Sequence, residues 1–180
     1  SVGVDIVNCI GRDSEHGICI QQDQADSTSV CTDVTVTGGE FYNNVGLGIC
    51  LRWGTVSTAI LKRISITGTR CYGNGTGKNV GANAAAIPAG GIGSYTQNKA
   101  SIGTAGFISY DIVCNDNVVY DNNGYGINIE GFANDSLTPS VSSNDIYGNG
   151  ASGDIDSHSL WVGNSFGVLI QENYIHDNSA

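Results

Sequence analysis

Methionine is absent from this chain of 180 residues, and charged side chains are scarce, at 13% of the composition. Basic residues are fewest: seven Lys and Arg stand against 17 Asp and Glu, which leaves a net charge of −10. This balance argues against nucleic acid and anionic membrane surfaces as partners. No apolar run reaches the roughly 18 residues that a membrane-spanning helix needs, so we expect no membrane insertion. An apolar content of 40% with so little charge argues against disorder.

Two further patterns are missing. No window shows a 3.6-residue hydrophobic period of useful length, which argues against amphipathic helices. None of the six cysteines falls in a CxxC spacing, which argues against a zinc site.

What the chain does contain is 26 glycines and a short phrase that recurs about every thirty residues. It reads FYNNVGLGICL at 41–51, VYDNNGYGINI at 119–129 and IYGNGASGDI at 146–155. Shortened copies are CYGNG at 71–75 and IHDNS at 175–179. Each copy places an asparagine three residues after its first apolar residue, at Asn44, Asn74, Asn122, Asn149 and Asn178. A period of this length is typical of stacked structural repeats.

Each copy combines alternating apolar residues with an Asn/Gly-rich turn, which predicts short strands joined by tight corners. In the copy around Phe41, Val34 and Val36 alternate with threonines before Gly38 and Gly39. Such repeats predict an all-β solenoid in which equivalent strands of successive turns pair in parallel. The asparagines are then expected to stack inside as a ladder, because each turn supplies hydrogen-bond partners for the next. In the first turn we assign this place to Asp13.

With its asparagine ladder and its G-I-x-I strands at 17–20, 48–51 and 126–129, the chain resembles the right-handed parallel β-helix family, the pectate-lyase-like fold. The resemblance covers nearly the whole chain. The repeats predict about six turns, and the length favours a single domain, 1–180. A long third turn would carry loop insertions at 76–88 and 97–106. Because the chain lacks methionine and stops inside a turn, we expect it to be a segment of a larger protein.

The repeat register predicts outward-facing rows that could carry chemistry. One row contains Gln21, Arg52, Tyr95, Glu130 and Ser157; the row beside it contains Gln22 or Asp23, then Trp53, Thr96, Gly131 and His158. The fifth turn departs from the pattern in GDIDSH at 153–158, which adds Asp156. Aromatic rings stack on sugars, an arginine pairs with carboxylates, and carboxylic acids and histidine transfer protons. We therefore predict a substrate-binding face with Gln21, Arg52, Trp53 and Tyr95, and catalytic candidates Arg52, Tyr95, Glu130, Asp156 and His158.

The family resemblance implies carbohydrate chemistry, and three classes of function stay open. In a polysaccharide lyase or epimerase, Arg52 would neutralise a uronate, with Tyr95 or His158 as acid or base. In a hydrolase or tailspike-type depolymerase, Glu130 and Asp156 would form the carboxylate pair. A fibre, adhesin or glycan-binding module would carry no chemistry. The chain has no acidic cluster beside Arg52, and GDIDSH shares only an Asp-x-His core with the epimerase motif.

Several expectations concern the environment of the protein. The expected partner is a polysaccharide, at an extracellular location, a cell surface or a virion surface. Tailspike-like relatives are trimers, and uncapped ends would favour end-to-end association. The Asp and Asn residues of 111–123 suit a bound Ca²⁺, although they are not spaced as a known calcium loop.

The cysteines are expected to be free thiols. Cys71 and Cys114 take core positions, and Cys19 and Cys50 stack on adjacent turns, where parallel neighbours point the same way. Core cysteines fit assembly in a reducing compartment, and secretion stays open.

Overall fold

The fold is described from a computed structural model, which covers residues 3–21, 30–53, 60–76, 89–96, 108–133, 137–150, 158–163 and 165–179. Over these residues the chain forms eighteen β-strands and no helix. All strand pairs are parallel and join equivalent strands of successive repeats, apart from one short extra strand. The protein is therefore a β-solenoid, as its sequence predicts, with three sheets along its length.

Sheets 1 and 2 each contain one strand from every repeat. Sheet 1 is built, in order, from β1 (Val4–Val7), β4 (Val30–Thr37), β7 (Ile60–Thr67), β10 (Ile108–Asn115), β14 (Ser140–Ser142) and β17 (Leu169–Gln171), with β13 (Phe132–Ala133) added to β10. Sheet 2 consists of β2 (Ile10–Arg12), β5 (Glu40–Tyr42), β8 (Arg70–Tyr72), β11 (Val118–Tyr120), β15 (Asp145–Tyr147) and β18 (Tyr174–His176).

Sheet 3 has five strands: β3 (Ile18–Gln21), β6 (Leu47–Trp53), β9 (Gly90–Thr96), β12 (Tyr125–Glu130) and β16 (Leu160–Gly163). In sheets 1 and 2, four strands lie between two others. The enclosed part of the solenoid is thus about four turns, slightly fewer than the six expected. The predicted insertions at 76–88 and 97–106 fall, apart from Thr76, outside the described residues.

Between sheets 2 and 3 the chain turns the corner through one residue in the left-handed region of backbone space. This residue is Asp13, Asn43, Gly73, Asp121, Gly148 or Asp177, with φ between 50° and 63°. Aspartate, asparagine and glycine adopt this conformation at the lowest energetic cost, which explains why the repeated phrase is rich in them. The residue after it then points its side chain into the corner.

The predicted asparagine ladder is confirmed. Each side-chain N–H₂ donates to the Oδ1 of the next asparagine: from Asn44 to Asn74 at 2.9 Å, from Asn74 to Asn122 at 2.9 Å, from Asn122 to Asn149 at 2.8 Å, and from Asn149 to Asn178 at 3.1 Å. The backbone N–H of each donor residue bonds the same oxygen. These buried amides are therefore hydrogen-bonded at both ends.

In the first turn the ladder position belongs to Ser14, and the assignment of Asp13 is wrong by one residue. Ser14 donates its backbone N–H to Asn44 Oδ1 at 3.2 Å and its hydroxyl to the same atom at 3.1 Å. The shift arises because Gly11, not Ile10, pairs with Phe41. Asp13 instead occupies the left-handed corner, with φ 56°.

A second ladder, which the sequence analysis did not identify, lines the corner between sheets 1 and 2. It runs from Thr69 through Asn117 and Asn144 to Asn173, with side-chain hydrogen bonds of 2.8, 3.0 and 2.8 Å. Its signal is an asparagine two residues before the inward apolar residue of sheet 2, in NVVY, NDIY and NYIH. It too follows a corner residue such as Asp116, φ 57°.

The core lies between the three sheets and consists of stacked Ile, Val, Leu, Phe and Cys side chains. Phe41, Cys71, Val119 and Ile146 form one fully buried column, as their place in the repeat predicts. Cys71 and Cys114 are core residues, as expected. All six cysteines are free thiols.

Candidate functional site

The outer surface of sheet 3, called here the sheet-3 face, carries most of the sequence-predicted candidates. Its residues form three columns along the solenoid. The first contains His16, Leu47, Gly90, Tyr125 and His158; the second contains Cys19, Cys50, Gly93, Asn128 and Trp161; the third contains Gln21, Arg52, Tyr95, Glu130 and Gly163. Neighbouring residues of one column are about 4.8 Å apart, the spacing between paired strands.

Parts of this face are buried although they point away from the core. Leu47 and Cys50 are fully buried, and Asn128 is 7% exposed. The side chain of His16 is 6% exposed. Buried polar side chains on an outer face are unusual, because such positions are normally solvated.

His16 occupies the amino-terminal end of the face. Its Nδ1 accepts the backbone N–H of Leu47 at 3.1 Å, which leaves the proton of the neutral ring on Nε2. That Nε2 is buried and has no hydrogen-bond partner; the Glu15 carboxylate is 3.8 Å away. Burial lowers the pKa of His16, and the positive charge of Arg52 lowers it further. The Glu15 carboxylate raises it, but the net shift is downward. His16 is therefore a neutral donor within the face.

Trp161 and Asn128 form the centre of the carboxy-terminal half. Trp161 stacks on His158, with ring centroids 4.9 Å apart and planes within 17°, and is 39% exposed. Its Nε1 would lie 2.7 Å from a Cβ at Gly163, so the indole lies over this glycine, which has no side chain to displace it. Asn128, the register partner of Trp161, has a buried Oδ1 without a hydrogen-bond partner.

Glu130 lies beside this aromatic surface. Its register partner is Gly163, over which the indole of Trp161 extends. The backbone N–H of Glu130 donates a hydrogen bond to the Ser94 hydroxyl oxygen at 2.8 Å, and Glu130 is half-buried. Trp161, Asn128 and Glu130 therefore occupy neighbouring positions on two adjacent strands.

The predicted row of Gln21, Arg52, Tyr95 and Glu130 is present, but its continuation differs. Gln21 pairs with Arg52, and Arg52 with Tyr95. In the fifth turn Gly163, not Ser157, stands beside Glu130, because β16 begins at Leu160. Of the departure GDIDSH, residues 153–157 lie outside the described residues, and His158 precedes β16.

His158 is consequently not brought to Glu130. The backbone oxygen of His158 accepts the N–H of Gly126, and its ring lies 6.0 Å from that of Tyr125. Tyr125 and Glu130 are opposite ends of β12, about 16 Å apart at the usual rise per strand residue. The prediction that Trp53, Thr96, Gly131 and His158 share one row holds for Trp53 and Thr96 and is wrong for His158. Asp156 lies outside the described residues, and for Trp53 and Tyr95 the described part is the backbone.

A second surface, on the outside of sheet 2, was missed by the sequence analysis. Four tyrosines and a histidine stack there with centroids 4.9 to 5.1 Å apart: Tyr42, Tyr72, Tyr120, Tyr147 and His176. The guanidinium of Arg12 continues the column 5.9 Å from the Tyr42 ring. The signal was the second letter of each repeated phrase, in FY, CY, VY, IY and IH.

This tyrosine column is less suited to sugars than the sheet-3 face. The planes of Tyr42 and Tyr72 are 2° apart, so each ring covers the face of the next and leaves edges and hydroxyls outward. A sugar stacks on a ring face, which inside the column is already occupied. The column therefore serves mainly to hold successive turns together.

The residues considered for Ca²⁺ are dispersed. Within 111–123, Asn117 and Asn122 belong to the two ladders, and Asp111 accepts the backbone N–H of Leu137 at 2.8 Å. Across the described ranges, no group of three or more His, Cys, Asp or Glu side chains is arranged to hold a metal ion. Nor do those ranges contain a helix that could cross a bilayer.

Comparisons of the chain with protein-family models, with curated proteins and with solved structures find no match.

Proposed function

We propose that this protein is a carbohydrate-active β-solenoid that binds an extended polysaccharide along the sheet-3 face. The observation that carries the proposal is the exposed indole of Trp161, whose neighbours on the adjacent strand are Asn128 and, two residues further on, Glu130. Sugars are bound by such sets, because the ring stacks on an aromatic surface while a neighbouring carboxylate accepts its hydroxyl protons.

The shape of the face supports a polymer as the ligand. The three columns run along sheet 3 at about 4.8 Å per turn, so equivalent contacts repeat along one direction. Gln21 and Arg52 stand at one end and Glu130 at the other, two turns from Arg52. A uronate would place its carboxylate near Arg52, while neutral sugars would suit the end around Trp161.

Cleavage of the bound chain forms the second part of the proposal. Lyase, epimerase and hydrolase chemistry would share this face, in keeping with the pectate-lyase-like resemblance, and the polymer would be met outside the cell or on a virion surface. Glu130 is the described carboxylate best placed for acid–base work. Because His158 is about 16 Å along the strand from Glu130, across the direction of the columns, these two would not act on the same glycosidic bond.

The test is a panel of neutral and uronate-containing polysaccharides. Binding would be measured by affinity electrophoresis, and cleavage by chain length together with absorbance from unsaturated uronate ends. Trp161→Ala should weaken binding about tenfold, since loss of one aromatic contact of about 1.4 kcal/mol changes a dissociation constant by that factor. The control is Tyr174→Ala, an aromatic residue on sheet 2 that is more exposed than Trp161. Equal loss in both variants, or no binding to any polymer, would refute the proposal.

A purely structural module is the second candidate, and the ladders favour it. Two asparagine ladders and one tyrosine column run through successive turns, which suits a rigid rod. The same panel separates the two functions, because a rod or fibre would bind none of the polymers while keeping its stability.

A further inference from the structure

Cys19 and Cys50 form a pair of thiols on the sheet-3 face that the glycan site does not use. They are register partners on the adjacent parallel strands β3 and β6, so their Cα atoms are about 4.8 Å apart. Cys19 is exposed to solvent, whereas Cys50 is fully buried. The Cys19 thiol is therefore accessible to a reagent in solution, whereas the Cys50 thiol is not and can only stabilise Cys19.

The surroundings of Cys19 favour its thiolate. The Cys50 thiol is its register partner on the adjacent strand, and Arg52 lies two residues beyond Cys50, opposite Gln21, so that a neighbouring thiol and a positive charge both favour the thiolate. Burial and the Glu15 carboxylate disfavour the Cys19 thiolate. The Oε1 of Gln21, 3.9 Å from the Cys19 sulfur, accepts a hydrogen bond from the protonated thiol. Together these contacts lower the pKa of Cys19 to about 7, while its partner's hydrogen bond and burial raise the pKa of Cys50.

We propose that Cys19 is a nucleophilic thiol that reacts with hydroperoxides and other soft electrophiles, and that Cys50 is the residue that positions and stabilises its thiolate. The cationic Arg52 beside the pair disfavours a bound metal cation and favours an anionic sulfur, which is the reactive form of cysteine. The inference is independent of the proposed glycan binding.

With a hydroperoxide, the Cys19 thiolate attacks the distal oxygen. The sulfur–oxygen bond forms as the oxygen–oxygen bond breaks, and the leaving alkoxide or hydroxide takes a proton from water. The sulfur loses two electrons, which the peroxide gains, and the product is a sulfenic acid. Register partners on parallel strands point their Cβ atoms in the same direction, which is poor geometry for a disulfide with Cys50, so a trapping reagent is expected to capture the sulfenic acid.

The chain supplies its own control. Cys9 is also exposed, but its sulfur contacts the backbone oxygen of Val7 at 3.6 Å and no second thiol. Cys71 and Cys114 are buried in the core and should stay unreactive while the protein is folded. Their protection reports in the same experiment that each variant has kept its fold.

The first measurement is the rate of thiol–disulfide exchange with dithiobis-nitrobenzoate, resolved by peptide mass spectrometry. At pH 6, Cys19 should react about six times faster than an ordinary exposed thiol, because its larger thiolate fraction outweighs its lower intrinsic nucleophilicity. Cys50→Ala should abolish this advantage, and Cys50→Ser, which keeps a donor, should restore most of it. Cys9→Ser should leave the rate at Cys19 unchanged.

The second measurement treats the protein with hydrogen peroxide and traps sulfenic acid with dimedone. An adduct on Cys19 and none on Cys9 supports the proposal. Equal rates and equal pH profiles at Cys19 and Cys9, or adducts divided equally between them, would overturn it.

Discussion

Asn122 lies midway along the asparagine ladder between sheets 2 and 3. Its Oδ1 accepts hydrogen bonds from the side-chain N–H₂ of Asn74 at 2.9 Å and from the backbone N–H of Asn74 at 3.0 Å. Its own amide N–H₂ donates to Asn149 Oδ1 and to the backbone oxygen of Cys71. Four hydrogen bonds thus converge on one buried side chain and connect three successive turns.

Asn122→Ala should destabilise the fold on the order of 3 kcal/mol, because several buried donors and acceptors lose their partners together. Denaturant unfolding would measure this as a lower midpoint at unchanged slope. Asn123→Ala is the control, since this neighbour is half-buried and makes one side-chain bond of 3.3 Å to Gly75. Equal effects of both changes would contradict the ladder's role.

Gly126→Ala should disrupt the packing of sheet 3. A Cβ there would collide with the backbone oxygen of Ser159 and lie 2.6 Å from Cγ2 of Ile146, so strands must separate. We expect a loss of more than about 3 kcal/mol or failure to fold.

The control for that change is Gly68→Asn. Gly68 has φ 65°, which asparagine tolerates, and the nearest atom to its absent Cβ is 3.9 Å away. A loss below about 1 kcal/mol is expected from its unfolding midpoint. If it destabilises as much as Gly126→Ala, steric contact is not the cause.

Tyr120→Ala should cost about 1–3 kcal/mol, because its ring stacks between Tyr72 at 4.9 Å and Tyr147 at 5.1 Å. Tyr120→Phe keeps both stacks and should be nearly neutral. Thermal unfolding of the two variants separates ring stacking from the hydroxyl, and an equal loss would assign the effect to the hydroxyl.

The tyrosine column should also weaken in alkali. Burial raises the pKa of Tyr72 and Tyr120, with neighbouring negative charges such as Glu40 acting in the same sense. The unfolded chain therefore releases these protons first, at about pH 10, so the stabilisation is present below that pH and is lost as pH rises above it. Unfolding midpoints measured from pH 8 to 11 should show a smaller decline when Tyr120 is replaced by Phe.

His16 and His176 should change the pH dependence of the free energy of unfolding in opposite directions. Burial lowers the pKa of His16, so its contribution is present above about pH 6.5 and is lost as pH falls. The hydrogen bond to Asp177, and then that to Asp145, raises the pKa of His176. Its contribution is present below about pH 6.5 and is lost as pH rises through the folded value.

Unfolding midpoints from pH 5 to 8 would measure both effects. His16→Gln should make the loss of stability below pH 6.5 shallower, and His176→Gln should remove a loss that sets in above it. Parallel curves for the two variants would contradict the assigned environments.

Glu130→Gln tests the chemistry of the sheet-3 face. If Glu130 transfers a proton during cleavage, the variant should lose at least a hundredfold in turnover while still binding the polymer. Chain-length analysis and affinity electrophoresis on the same samples would separate the two. Glu172→Gln, an exposed carboxylate on the opposite corner, is the matched control.

The sequence determined the type of fold, the parallel pairing and the inner asparagine ladder, because these depend on a repeat that brings Asn44 and Asn74 back to the same corner. The same periodicity contained the second ladder and the tyrosine column, and both could have been found by aligning NVVY with NDIY. Cys71 and Cys114 were assigned to the core because they replace apolar residues of the repeat.

Tertiary structure alone decided where the repeat is interrupted. Ser14 replaced Asp13 in the ladder, and β16 began only at Leu160, because strand register is set by pairing with the neighbouring turn and not by spacing along the chain. That register separated His158 from Glu130 and brought Trp161 to it. The burial of His16 and the pairing of Cys19 with Cys50 likewise depend on strands about thirty residues apart in the chain. The repeat pattern aligns these strands, but it does not show which side chains become buried between them.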